Sequence, residues 1–267
     1  MAEKKTRKIE IGWFHEAEGE DMRVPSLSPK WQEEDWKSIG RILAKGYKDH
    51  RYFPTRLATA FTVALIFGEH SVTDEIMIDS FLLYLSQSER ELVSLALKED
   101  LFGDDRDELL DLLDRLGVTI MPTQQNLKEL LLKAGHKQII QLPKYALDNM
   151  SGEAKQIFRE TFNNPVDVLQ MYEDKRPTTR RFLKLLDVSP QTQAESKCLR
   201  FLQQYIRGLD GVGLRKMLRF VTGSDVVCVN EIKVIFTSLD GLARRPVAHT
   251  CGPVLELPCT YSSYPEL

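Results

Sequence analysis

The feature that most constrains the fold is a change of hydrophobic period late in the chain. Over residues 31–209, apolar side chains recur three and four positions apart with cap signals between the segments, which is typical of helices. Over residues 232–237 and 255–257 apolar side chains alternate instead, as they do in half-buried strands. The sequence therefore predicts an α+β protein in which a long helical part precedes a small part with strands.

The best internal boundary lies at residues 186–190. A helix ends there, Ser189 can cap the following helix, and Pro190 can open it. Because 267 residues are enough for two lobes with their own cores, we place a hinge at residues 187–190.

This boundary predicts a bilobal protein with a short entry segment. The first residues mix charge, Gly, Ser and Pro without a sustained period, so we expect little order there beyond one strand at residues 8–14. The predicted parts are a poorly ordered segment over residues 1–30, a helical N-terminal lobe over residues 31–186, and a small α+β C-terminal lobe over residues 187–267.

Several local signals predict where helices begin and end. Pro54 is expected to start a helix at its first turn, and Gly68 to end that helix. Ser88 and Glu91 have the spacing of a capping box, in which each side chain binds a backbone N–H at the helix start.

The composition excludes several functional classes. A formal net charge of -3 and a pI near 6.0 give no long-range attraction to nucleic acid. The longest apolar runs, such as residues 60–67, are too short to span a bilayer, and the charged N-terminus lacks a signal-peptide pattern. We predict an intracellular protein, cytoplasmic or nuclear, that binds neither nucleic acid nor membrane.

The 4 cysteines form no C-x-x-C pair, and we expect no cofactor and no metal.

Cys251 is the residue that most invites a chemical interpretation. If residues 247–251 are extended, His249 and Cys251 face one way and Thr250 faces the other. An imidazole beside a thiol can raise the thiolate fraction or carry a proton. Gly252 and Pro253 follow directly and favour a turn, which would present the thiol.

The residues alone leave other interpretations of Cys251 open. An isolated cysteine is most often a small buried side chain. A zinc site could use His249, Cys251 and Cys259, although a fourth ligand and a standard spacing are missing. A papain-like protease would need a base, and His249 has no evident Asn or Asp to orient it.

Two segments near the C-terminus resemble a known family. LRFVTGSD at residues 218–225, a strand segment, and then RRPVAHTCGPVLELPCTYSSYPEL at residues 244–267 resemble the C-terminal lobe of HECT ubiquitin ligases. Residues 38–85 are similar to the start of the HECT N-terminal lobe, and the resemblance covers about residue 31 to the end. Segments after residue 121 are similar to an atypical branch, that of the G2/M phase-specific ubiquitin ligases. The positions that match the C-terminal pattern are Pro246, His249, Thr250, Cys251, Leu255, Leu257, Pro258, Tyr261 and Ser263.

The resemblance implies a ubiquitin ligase with Cys251 as its nucleophile. Cys251 would accept ubiquitin as a thioester from a ubiquitin-conjugating enzyme and pass it to a lysine of a protein substrate that the sequence does not identify. His249 and Thr250 would be supporting neighbours. A hinge at residues 187–190 fits this role, since the thiol must meet first the donor enzyme and then the acceptor.

The chain also departs from the family pattern. Gly252 stands where the family has an aromatic residue, and only about residues 145–186 occupy the place of the subdomain that recruits the conjugating enzyme. Family members continue beyond the position of residue 267, so we expect the C-terminal lobe to be incomplete at its end. The alternative function is therefore a catalytically weak or inactive HECT-like interaction module. A helical scaffold without a ubiquitin connection would instead bury Cys251.

Overall fold

The computed structural model describes residues 14–16 and 22–264 and divides the chain into two compact units. The first unit is Met1–His50 with Pro54–Tyr172, and the second is Arg51–Phe53 with Glu173–Leu267. The strand predicted at residues 8–14 lies outside the described residues except for Phe14, which begins an observed strand. Each unit has its own elements and core.

The first unit consists mainly of helices, with one small hairpin at its start. Strands β1 and β2 of this hairpin pair antiparallel. The strands and α-helices are β1 (Phe14–Glu16), β2 (Arg23–Pro25), α1 (Glu33–His50), α2 (Thr59–Phe67), α3 (Asp74–Tyr84), α4 (Gln87–Ala96), α5 (Gly103–Arg115), α6 (Leu127–His136), α7 (Lys144–Arg159) and α8 (Pro165–Lys175). The last turn of α8 belongs to the second unit.

Helix α2 forms the centre of the first unit. Its sequence TAFTVALIF is apolar all round, and every residue from Ala60 to Phe67 is buried, as expected for a helix with neighbours on all sides. Helices α1 and α7 pack so closely that a Cβ at Gly40 would lie 2.3 Å from the carbonyl oxygen of Met150. Only glycine permits this approach without a shift of the backbone.

Two predicted helix starts differ from the observed ones. The capping box of α4 uses Ser86 and Glu89, not Ser88 and Glu91, because Ser86, with φ -59° and ψ 163°, is the N-cap residue of the helix. Pro54 does not begin α2: its carbonyl accepts from the N–H of Leu57 at 2.9 Å in a separate turn, and α2 begins at Thr59.

Part of the segment expected to be poorly ordered has defined structure. Met22 and Val24 are buried, and Arg23 forms a parallel bridge with Leu57. The N–H of Arg23 also donates to the carbonyl of Arg56, so residues 22–25 are tied to the core of the first unit. For residues 1–21, the predicted poor order lies outside the described residues, except at residues 14–16.

Among its described residues after α8, the second unit combines three α-helices and a short 3-10 helix (Gly241–Ala243) with a four-stranded sheet. The strand order is β3-β4-β6-β5, with β3-β4 and β4-β6 parallel and β5-β6 antiparallel. Its elements are α9 (Thr179–Leu185), β3 (Leu186–Asp187), α10 (Gln193–Gly208), α11 (Gly211–Thr222), β4 (Ile232–Thr237), β5 (Val247–His249) and β6 (Val254–Pro258).

The alternating pattern of the strands is borne out by their burial. Ile232 and Val234 of β4 are buried whereas Lys233 between them is exposed. On β6, Leu255 and Leu257 are buried against side chains of α10 and α11, such as Leu202 and Leu218, that form the same core. The sheet thus has one face covered by helices, as a period of two residues requires.

The division between the compact units lies ahead of the predicted lobe boundary. Phe182 and Leu185 of α9 belong to the core of the second unit, and β3 pairs with β4. These contacts place residues 173–186 in the second unit, whereas the sequence assigned them to the N-terminal lobe. A hinge motion at residues 187–190 stays a prediction.

The predicted fold class is confirmed. A helical unit precedes a small unit with a mixed sheet, which is the α+β, HECT-like arrangement that the resemblance implies. In the described ranges, every helix is too short or too polar to span a bilayer.

Candidate active site at the Cys251 turn

Cys251 lies in the turn of the hairpin formed by β5 and β6. The last pair of this hairpin is His249 with Val254, so residues 250–253 form the turn and Cys251 is its second residue. The turn suits its sequence, because Gly252 has no side chain and Pro253 fixes its own φ. The carbonyl of Pro253 accepts from the N–H of Lys233 at 2.9 Å, which ties the end of the turn to β4.

The thiol of Cys251 is exposed to solvent. The interpretation of Cys251 as a buried core residue is therefore wrong. The premise that residues 247–251 are all extended is also wrong, since β5 ends at His249 and Cys251 is already in the turn. Its position after the strand, and not a shared strand face with His249, exposes the sulfur.

A glycine at the end of α11 lies against the Cys251 turn. Gly223 is the C-cap of α11 and has φ 79°, a left-handed conformation that favours glycine. A Cβ at this position would be 3.5 Å from the Cβ of Thr250, which is ordinary van der Waals contact. The two segments that carry the resemblance, residues 218–225 and 244–267, are thus neighbours in the second unit.

His249 has a partner that the sequence did not indicate. Its Nε2 lies 3.0 Å from Oε1 of Glu256 on the adjacent strand. The register explains the contact, since Val247 is opposite Glu256 and His249, two residues on, lies on the same face. The orienting group is thus a glutamate on the adjacent strand and not a nearby Asn or Asp, and the sequence signal for it is a four-residue turn that places the two side chains diagonally opposite.

The pairing of His249 with Glu256 is near the surface. The side chains are 53% and 35% exposed, so solvent screens their interaction. The imidazole is either a hydrogen-bond donor to the carboxylate or, when protonated, part of an ion pair. In both cases the carboxylate orients the ring beside the strand end that leads into the Cys251 turn.

The other cysteines have different surroundings. Cys198 is buried in the core, donates from Sγ to the carbonyl of Pro258 at 3.1 Å, and has its pKa raised by burial to about 11. Cys228 and Cys259 are half-buried. His249, Cys251 and Cys259 do not form a metal-binding group, and the described residues contain no cluster of three or more His, Cys, Asp or Glu suited to a metal.

Comparison with known proteins gives the family. The family described as HECT-domain (ubiquitin-transferase) matches residues 1–267, which is 30 residues more than the resemblance seen in the sequence. No match was found among curated proteins. Assignment to an atypical branch of the family stays a prediction. HECT domains transfer ubiquitin and work with ubiquitin-conjugating enzymes. The chain belongs to the HECT-domain family of ubiquitin transferases.

Proposed function

We propose that Cys251 accepts ubiquitin as a thioester from a ubiquitin-conjugating enzyme and passes it to a lysine of a protein substrate. The observation that carries this proposal is the exposed thiol on the turn between β5 and β6. A thiol in this position can approach a bulky thioester, since Cys251 is exposed to solvent on the turn of a hairpin.

The chemistry consists of two acyl transfers. In the first, the Cys251 thiolate attacks the thioester carbonyl carbon at the ubiquitin C-terminus, and the cysteine thiolate of the conjugating enzyme leaves. In the second, a neutral lysine amine attacks the new thioester, an isopeptide bond forms, the Cys251 thiolate leaves, and the amine nitrogen gives up a proton. One thioester replaces another in the first step, so alignment of the reacting atoms supplies most of the rate.

The supporting residues hold the turn in place. We assign this role to His249 and Thr250, which the resemblance implies are supporting neighbours, and add Glu256. The hydrogen bond between His249 and Glu256 joins β5 to β6, and Thr250 packs beside the end of α11 at Gly223. A turn held at both sides presents its thiol with less conformational freedom, which lowers the entropic cost of alignment.

The direct test is formation of a thioester adduct. The chain is incubated with ubiquitin-activating enzyme, ATP, ubiquitin and a panel of conjugating enzymes, and products are separated with and without reducing agent. We expect a ubiquitin adduct that reducing agent removes and that Cys251→Ala abolishes. Cys228→Ala is the matched control, because it removes another thiol of the second unit and is expected to leave the adduct intact.

The same experiment separates this function from its alternative. If no conjugating enzyme yields an adduct, the proposal is wrong for this chain. Partner binding that is indifferent to Cys251→Ala would then favour an inactive HECT-like interaction module.

A further inference from the structure

An apolar groove lies between the helices and the sheet of the second unit, outside the Cys251 turn. Its volume is about 390 Å³, within the range of specific binding pockets. Its lining includes Tyr205 of α10, Lys216, Met217 and Phe220 of α11, and Pro246 and Leu255 from the sheet region.

Large side chains at the groove are exposed to solvent. Tyr205 is 43% exposed and Phe220 is 47% exposed. Aromatic side chains at the mouth of an open groove are typical of surfaces that anchor a partner, since they supply contact area at a low entropic cost.

The charge around the groove is positive. Lys216 is the only charged residue in the described lining, and no ion pair is formed by its ammonium group with another described residue. Helix α11 contains Arg215, Lys216 and Arg219 but no Asp or Glu. Asp210, just before the helix, caps it, since its Oδ1 accepts from the N–H of Gly213 at 2.7 Å, and it keeps its negative charge, so the helix with its cap carries a formal charge of +2.

The charge of the second unit as a whole has the same sign. It holds 15 Lys and Arg against 10 Asp and Glu, a formal charge of +5, whereas the whole chain has a formal charge of -3. An acidic partner is therefore attracted to the second unit over a distance and to the groove at contact.

The groove is close to the proposed nucleophile. Phe220 is three residues before Gly223, which is about 4.5 Å along a helix axis, and Gly223 neighbours Thr250. Pro246 is five residues before Cys251, a separation of at most about 18 Å for an extended chain. A segment held in the groove could therefore place a lysine a few residues away at the thiol.

We propose that this groove binds an acidic, apolar peptide segment of the protein substrate, so that a lysine near the segment becomes the acceptor of ubiquitin. The substrate role rests on the proposed function of Cys251, whereas binding to the groove does not. An apolar side chain of the segment would fill the space between Met217, Phe220 and Leu255, and a neighbouring carboxylate would lie near Lys216.

Binding is tested first, without ubiquitin, by fluorescence anisotropy of the full chain with a labelled probe. The probe is a fluorescein-labelled amphipathic peptide with Leu and Phe on one face, Glu on the other, and one Lys at its C-terminal end. We expect Lys216→Glu to weaken probe binding about fivefold through charge reversal, and Phe220→Ala about tenfold through loss of the apolar anchor.

Matched variants control for charge and apolar area. Lys233→Glu reverses an exposed charge on the uncovered face of the sheet, and Leu239→Ala removes an exposed apolar side chain outside the groove. Both are expected to stay within about twofold of the wild type. A second probe in which Lys replaces every Glu is expected not to bind. Equal binding of both probes, or no difference between groove and control variants, would overturn the proposal.

Two further measurements separate the remaining outcomes. A dimer in sedimentation that Lys216→Glu dissociates would show that a second copy of the chain occupies the groove, and the proposal would be wrong.

The thioester assay tests the function independently, because the groove variants are expected to keep the Cys251 adduct. Probe binding without an adduct would support the groove as a binding site and contradict the proposed function of Cys251. An adduct without probe binding would support the proposed function and overturn the groove proposal. With both in place, ubiquitin is expected on the probe lysine, and at least fivefold less of it with Phe220→Ala.

Discussion

The Cys198 site and the Cys251 turn lie in the same compact unit, and they place the same functional group in opposite surroundings. Cys198 is 1% exposed, lies among core side chains and donates a hydrogen bond to Pro258. Cys251 lies on a hairpin turn and is exposed. The residue type alone therefore does not predict the role of a cysteine, since burial decides whether its thiol serves as a core side chain or is accessible for reaction.

The largest expected difference between the two sites is their rate of alkylation. Burial raises the pKa of Cys198 to about 11, so its thiolate fraction at pH 8 is roughly one in a thousand, and the core also blocks access. We expect iodoacetamide to modify Cys251 at least about 100-fold faster than Cys198. Peptide mapping by mass spectrometry over time measures both rates in one sample. Equal rates in the folded chain would remove the contrast between the sites.

The second expected difference is in stability. Cys198→Ala removes a buried side chain and its hydrogen bond, so we expect a loss of about 1–2 kcal/mol in the free energy of unfolding of the second unit. Cys251→Ala is expected to change it by less than about 0.5 kcal/mol. Trp31 and Trp36 belong to the first unit, so their fluorescence does not report on this loss. Hydrogen exchange in increasing urea, followed on peptides from β4 and β6, measures the free energy of unfolding of the second unit directly.

The stability difference also depends on pH. The pKa of Cys198 is raised from its usual 9.0 to about 11 in the folded chain, so between these values the folded state holds a proton that the unfolded state has released. The contribution of this thiol to stability is thus complete below pH 9 and is lost as pH rises toward 11. We expect the advantage of the wild type over Cys198→Ala to shrink between pH 8.5 and 10.5, in a hydrogen-exchange series corrected for intrinsic rates. An advantage that grows with pH would contradict the burial of a neutral thiol.

Much of the fold was predictable because it depends on local periodicity. The change from helix to strand follows from the spacing of apolar residues. The capping box of α4 was misplaced by two residues, since Ser86 and Ser88 both precede a glutamate by three positions. Local sequence offers two equivalent starts there, and only the surrounding backbone selects one.

The site was predictable only in part, for reasons of register and packing. Cys251 and its turn follow from the sequence around them. The partner of His249 depends on which residues of β5 and β6 face each other, and a turn shorter or longer by one residue would move Glu256 to the other face. The assignment of α9 to the second unit depends on tertiary packing of Phe182, which no local pattern reports.

The third expected effect concerns the support of the turn by α11. Gly223→Ala places a Cβ in a left-handed conformation and is expected to cost about 1 kcal/mol, since alanine rarely adopts positive φ. Gly223→Asn is the matched control, because asparagine tolerates this conformation better, and it is expected to recover part of the loss. The space beside Thr250 admits a Cβ, so a much larger loss would mean that close packing, and not backbone conformation, requires glycine.

The smallest expected effect tests the orientation of His249. Glu256→Gln removes the negative charge but keeps a carbonyl oxygen that can accept from Nε2, so the pair loses charge and not its hydrogen bond. Because both side chains are partly exposed, we expect less than about 0.5 kcal/mol in stability. Glu256→Leu also removes the acceptor, and if the imidazole needs orientation, this variant slows formation of the Cys251 adduct more than Glu256→Gln does. Single-turnover rates at low and high salt distinguish the cases, since only an ion pair is weakened by salt. Equal rates for wild type and both variants would show that Glu256 has no part in presenting the thiol, and that the turn is held by β4 and α11 alone.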